Sequence, residues 1–142
     1  MTAPDPLRNL FAAAPINQLL QLELVASGGG SAEVRARARE SFRQEGGLVH
    51  GGILTTLADT TAVYALLGDL VDDPNASDRT VTGVELKLNF LRPATPGGEP
   101  LSAHARTVRS GRTLGVVRVE VRQGERAVAE GLFTYLFLDA PS

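Results

Sequence analysis

Two kinds of residue in this chain could do chemistry together, and both fall in the stretch Gly46 to Leu70, GGLVHGGILTTLADTTAVYALLGDL. One is a glycine-flanked histidine, His50-Gly51-Gly52. The other is Asp59, the single side chain charged at neutral pH between Ile53 and Gly68. The run of apolar and small residues predicts a long, deeply buried helix that begins at the two glycines. N–H groups at such a start have no partner within the helix and carry the positive end of its dipole. Gly51 and Gly52 are therefore placed to polarise a carbonyl oxygen or hold an oxyanion. A lone carboxylate in a buried helix must be paired, hydrated, protonated or used, because burying it unpaired is expensive. A structural aspartate, bonded to a neighbouring helix or backbone, is the alternative.

One helix cannot bring both groups to one reaction. Gly51 and Asp59 are eight residues apart, which at 1.5 Å per residue is roughly 12 Å along the axis, against a reach of about 3 Å at a reacting atom. Two copies of the helix, antiparallel about a twofold axis, would set Asp59 of one beside Gly51 of the other. The expectation is an obligate homodimer with shared sites.

The pattern G-x-x-H-G-G followed by L-A-D-T, then VELKLNFLRPA and GRTLGVV, resembles the hotdog-fold acyl-CoA thioesterases, in particular the PaaI-type (phenylacetic acid degradation) branch, from about Phe42 to Phe137. The resemblance implies hydrolysis of an aryl or aliphatic acyl-CoA to the acid and free coenzyme A. Coenzyme A then enters as part of the substrate, and no other cofactor is expected. Asp59 would activate water or attack the thioester, and the Gly51 N–H would polarise the carbonyl, with Gly52 beside it. His50 would shape the loop more than transfer protons, and Gln44 would orient the thioester or the water. Some relatives carry Ser or Thr four residues after the acid. This chain has Val63 there, so a hydroxyl must come from Thr60 or Thr61 or be absent. Relatives hold the nucleotide with basic residues at loop ends, which makes Arg92, Arg109 and Arg112 the candidates. Tyr64 and the face of Phe133, Tyr135 and Phe137 could pack an aryl ring, or simply form core. The family also implies pairing of dimers into tetramers.

Composition narrows the classes. The chain has 142 residues, 43% of them hydrophobic, and is expected to form a single domain over 1–142. A net charge of -2 argues against nucleic-acid binding. Without cysteine there is no disulfide framework or thiolate chemistry, which suits the cytoplasm, and two histidines leave no metal-ligand pattern. The segment from about 4 to 20 reads as a short helical segment capped by Asp5 that covers part of the sheet, or acts as a lid. Asp59 and Asp69 interrupt the one candidate membrane span, so no membrane partner is expected.

Leu20 to Ser27 reads as a strand and Gly28-Gly29-Gly30-Ser31 as its turn, because the glycines lack the Lys-Ser/Thr of a phosphate loop. Ala32 to Ser41 alternates small and charged residues, the pattern of a half-buried strand. Arg35, Arg37 and Arg39 read as its solvated face, with an anion-binding patch for the coenzyme A phosphates as the alternative. Val71 to Asp78 reads as a turn without calcium-loop spacing. Strands follow from Thr80, with Val84, Leu86, Leu88 and Phe90 on one face. Further strands run over Leu101–Val108, Leu114–Arg122 and Ala127–Leu138, the last with Ala127, Ala129, Gly131, Phe133, Tyr135 and Phe137 on one face, and His104 is an ordinary strand histidine. The order is α+β: an antiparallel sheet with a long apolar helix laid across it. The curved wrapping of the sheet around that helix comes from the resemblance. Two rivals remain: a hydratase or dehydratase on the same fold, and a non-catalytic acyl-CoA binding or sensing module.

Overall fold

The computed structural model describes residue 3, residues 5–71, residue 73 and residues 79–139. Six strands, β1 (Glu23–Gly28), β2 (Ser31–Ala36), β3 (Arg79–Phe90), β4 (Leu101–Ser110), β5 (Leu114–Gln123) and β6 (Arg126–Asp139), form one antiparallel sheet in the order β1-β2-β4-β5-β6-β3. Two short helices, α1 (Asp5–Ala13) and α2 (Pro15–Leu19), precede the sheet, and the long helix α3 (Gly51–Leu70) falls between β2 and β3. The chain thus leaves the sheet after β2, crosses it as α3, and re-enters at the far edge with β3.

The N-terminal segment, expected as one unit, divides at Pro15. Proline lacks the N–H that would bond back into α1, and Ala14 before it is extended, with φ -72 and ψ 120. The side chain of Asp5 lies outside the described residues. Phe11 of α1 packs edge-on against Tyr64 of α3 with ring centroids 5.0 Å apart, and Arg8 Nη1 donates to the Leu24 carbonyl at 3.1 Å. β1 starts at Glu23 rather than Leu20 because Leu20 to Leu22 close α2. Gln21 takes a left-handed φ of 53, its N–H bonds Gln18 O, and the Leu22 N–H bonds Asn17 O, a Schellman ending without the usual glycine. β2 stops pairing at Ala36, yet its alternation of burial continues through Ala38. The glycine run after β1 is the hairpin turn it was expected to be: Gly29 and Gly30 have φ of 61 and 75, and the Gly30 N–H donates to Asp69 Oδ1 at 2.8 Å. Val71 to Asp78 lies mostly outside the described residues.

The inner face of α3 is Leu54, Leu57, Ala58, Thr61, Ala62, Ala65 and Leu66, set against Val34, Ala103, Ala105, Val117 and Val119 of the sheet. Its small residues permit a close approach. A Cβ on Gly68 would come within 2.6 Å of Ser27 Oγ, and one on Gly115 within 2.9 Å of the Leu66 side chain. α3 is long and apolar enough to cross a membrane on composition, with mean hydropathy 1.2, but half of that window is buried inside the fold. Burial is not complete all round. Gly52, Asp59 and Asp69 are exposed and Thr55, Thr56, Thr60, Val63 and Leu67 only half-buried, which leaves an outward stripe at helical spacing.

Two bulges set the far edge of the sheet. In β3 the register shifts between Gly83, opposite Tyr135, and Glu85, opposite Thr134, so that Val84 is the extra residue. In β6 a shift leaves Val128 unmatched between Ala127 and Ala129. The shared face therefore holds from Ala129 to Phe137, and Ala127 drops out of it. Gly131 lets β3 lie against β6, since a Cβ there would sit 1.9 Å from Lys87 O.

Candidate active site

The loop before α3 closes on itself and hands His50 to the helix as its cap. Arg43 bridges Val49, the Gln44 N–H bonds Leu48 O at 2.7 Å, the Gly47 N–H bonds Gln44 O at 3.0 Å with Gly47 at φ 86, and the His50 N–H bonds Phe42 O at 2.8 Å. His50 is extended, with φ -60 and ψ 134, and its Nδ1 accepts the Gly52 N–H at 2.7 Å. An imidazole accepting at Nδ1 is neutral, with its proton on Nε2. The cap corrects one expectation: the Gly52 N–H is taken, and the Ile53 and Leu54 N–H groups both point to His50 O. Only the Gly51 N–H, at the first helical position, has no acceptor among the described residues. The Phe90 ring stands over it, close enough that a Cβ on Gly51 would lie 2.9 Å from Cζ.

Asp59 is not buried in the single chain. It sits on the outward stripe of α3 and lines a cavity of about 420 Å³ with Gly83, Val84, Glu85 and Leu86 of β3 and Phe133 and Tyr135 of β6. The Tyr135 hydroxyl lies 2.5 Å from Asp59 Oδ1 and 3.2 Å from Asp59 O. A hydroxyl has one proton, and the shorter contact to the charged oxygen takes it. Burial first, then the hydrogen bond and the charge of Asp59, hold the Tyr135 phenol far above its ordinary value of 10.0, so it remains a donor.

A hydroxyl at the acid thus comes from β6, an element on which the sequence reading did not look for one. Thr61 is fully buried and its Oγ1 bonds Leu57 O at 2.6 Å. Thr60, half-buried next to Asp59, has no hydrogen bond from its hydroxyl among the described residues. A signal for Tyr135 was present: a tyrosine among phenylalanines on an inward strand face needs a partner for its hydroxyl.

The other expected residues divide. Gln44 is half-buried in the loop that ends at Gly51, and its Oε1 is shielded from solvent without a partner among the described residues. Tyr64 belongs to the core against Phe11, and burial raises its phenol above 10.0. The arginines do not form one cluster within a chain. Arg92 follows β3 and donates Nη1 to Ala127 O at 3.0 Å, near the start of β6. Arg109 and Arg112 flank the β4–β5 turn at the other end, where Leu114 pairs with Leu136. Phe90 pairs with Ala129, so the two places are separated by about seven residues of β6, or roughly 23 Å at strand rise. Arg92 is at the Gly51 end of α3, and the other two are at the Leu66 to Asp69 end.

A long helix held across a six-stranded antiparallel sheet is the hotdog architecture. With that fold the chain falls in the class of the hotdog thioesterases. Residues 46–130 match the family model described as the Thioesterase superfamily, and the chain belongs to that superfamily. A protein of Saccharolobus solfataricus, whose name assigns it only provisionally as an esterase, is 33% identical over 125 residues, covering 85% of this chain and 84% of its own length. A thioesterase family protein from Silicibacter pomeroyi superposes with a TM-score of 0.83 at 31% identity, over 94% of this chain and 96% of that one. A mutant of the phenylacetic acid degradation protein PaaI from Thermus thermophilus does so with a TM-score of 0.77 at 26% identity, over 88% of this chain and all of the other.

Proposed function

We propose that this protein hydrolyses acyl-CoA thioesters in sites shared between two subunits. The observation that carries the reading is the division of labour on α3. Its first N–H is left free while the next is capped by His50, and Asp59 is displayed further along the same helix, out of that N–H's reach. The free N–H, supported by the helix dipole, would draw charge onto the thioester oxygen as the carbonyl is attacked. Asp59 of the other subunit would take a proton from water or itself form the acyl bond, with coenzyme A thiolate leaving. Gln44 would orient the water through its spare acceptor, or the thioester through its amide N–H groups. Thr60 would lie beside the reacting groups.

The open edge of the sheet supports the pairing. β3 ends the strand order, is 12 residues long, and exposes Val84, Leu86 and Phe90 at 51%, 48% and 56%. A long apolar edge strand with unpaired backbone is a template for another strand, and it borders both the Asp59 cavity and Gly51. Pairing across β3 would cover the outward stripe of α3 as well. A tetramer of two such dimers follows the family. Arg92 is the arginine at the carbonyl end, with Arg109 and Arg112 reaching the nucleotide only from another subunit.

The hydratase reading is disfavoured by His50, whose Nδ1 is committed to the helix cap. The test of the main reading is release of free thiol, followed with Ellman's reagent, from aryl, short-chain and long-chain acyl-CoAs by the wild type and Asp59→Asn. Turnover that collapses in the variant supports a thioesterase centred on Asp59. Acyl-CoA binding without release from any substrate would give the sensing module instead, and turnover unchanged in Asp59→Asn would remove Asp59 from the mechanism.

A further inference from the structure

The geometry points to Tyr135 as the positioning residue of the hydrolysis, fixing one oxygen of the Asp59 carboxylate so that the other alone faces the reacting atoms; this rests on the reading of Asp59 given above. Four observations converge on it. The phenol comes from a different element, β6, and its oxygen is within hydrogen-bond distance of Oδ1 on an otherwise exposed side chain. Tyr135 is itself 2% exposed, locked between the sheet and α3, so the donor is held by packing and not by the hydrogen bond. The residue directly across from it on β3 is Gly83, and a Cβ there would already touch the ring at 3.6 Å. Any larger inward side chain at that place would press on the ring that aims the hydroxyl. Finally, the bulge at Val84 falls beside this pair, in the wall of the cavity that Asp59 lines.

An exposed aspartate on a helix surface rotates among rotamers, and a general base or nucleophile needs one orientation. A buried donor aimed at one carboxylate oxygen supplies it, and at the same time stabilises the charged form. The titratable groups that line the cavity around Asp59 are Tyr135 from β6 and Glu85 from β3; on α3 itself the nearest in sequence are Tyr64, whose side chain is in the core, and Asp69, with His50 at the helix cap. Loss of the phenol oxygen therefore acts on orientation and on the acid limb of the rate profile together. A ring that served only as core would act on neither.

The test is the full pH–rate profile of Tyr135→Phe on the best acyl-CoA substrate, run beside the wild type and Asp59→Asn. The expected result is a fall of about tenfold in kcat with KM within about twofold, as for an interaction made in the transition state. The acid limb moves to higher pH, the sign expected when a hydrogen bond to a carboxylate is lost. The chain has two tyrosines, so Tyr64→Phe with 3-fluorotyrosine supplied in growth alters Tyr135 alone. The more acidic phenol is a stronger donor and moves the limb to lower pH. Profiles of Tyr135→Phe and the fluorinated protein that superpose on the wild type, with Asp59→Asn inactive, would overturn the role of Tyr135 and leave Asp59 in place. An active Asp59→Asn would overturn the underlying reading instead.

Discussion

The two faces of α3 are made by opposite rules. Toward the sheet, Ala58, Ala62 and Ala65 are wholly buried and interchangeable in kind with any small apolar residue that keeps the helix close. Toward solvent, Gly52, Thr56, Asp59, Thr60 and Val63 are exposed or half-buried, and there the residue type is chosen for what it can do. The inner face explains why the helix lies where it does. The outer face is where the proposed chemistry falls: its first N–H has no acceptor among the described residues and its carboxylate is exposed. Function on such a scaffold should be separable from stability, and each of the following changes tests that separation.

The largest effect is expected on the outer face and in the rate alone. Asp59→Asn should lower kcat by about a hundredfold or more, about 2.7 kcal/mol of transition-state stabilisation. Its melting temperature should stay within about 2 °C of the wild type, because the side chain is exposed. Parallel calorimetry and thiol-release assays decide it; a large fall in melting temperature would make Asp59 structural. On the inner face the reverse is expected. Ala62→Leu, at a position with no exposure, should cost about 1–3 kcal/mol in denaturant unfolding through overpacking while the refolded fraction keeps its turnover.

His50 stands between the two faces. His50→Ala removes the acceptor of the Gly52 N–H and should cost about 1 kcal/mol, the ordinary value of a lost N-cap. The shape of its pH–rate profile should be that of the wild type; disappearance of a limb would show that the imidazole moves protons. The smallest effect concerns the phenols. Tyr64 and Tyr135 both have raised values in the fold, so their contribution to stability is fully present below about pH 10 and is lost as the pH rises beyond it toward the folded values. Tyr135→Phe should therefore flatten the loss of stability above pH 10 seen by denaturant titration of the wild type.

How far the sequence carried these assignments depends on the range of the signal. Asp59 and His50-Gly51-Gly52 were legible because a single charge and a glycine pair stand out in an apolar run. The alternation of β3 and of β6 from Ala129 onward was legible for the same reason: period two is a local property. The place of β3 at the edge beyond β6 was not, since the order of antiparallel strands is set by how the sheet closes over the helix. That order decides both that Asp59 is exposed and that Tyr135 reaches it, so neither followed from pattern. The two bulges, at Val84 and Val128, likewise arise from the fit between strands. Pro15 did announce the break between α1 and α2, and the segment was nonetheless read as one.

The central claim is that one site draws Gly51 from one subunit and Asp59 from another, and mixing two inactive chains tests it most directly. Gly51→Pro deletes the free N–H at a helical position where proline is favoured, after a His50 whose φ of -60 and ψ of 134 suit the residue before proline; the exposed Phe90 ring, whose Cζ a Cβ there would meet at 2.9 Å, must swing aside. Co-expressed with Asp59→Asn, it should form mixed dimers in about half of the pairings, each with one complete site of two, and so recover about a quarter of wild-type turnover. Turnover that stays at the level of the separate variants, with mixed dimers demonstrated by differential tags, would place both groups of each site in one chain and contradict the account.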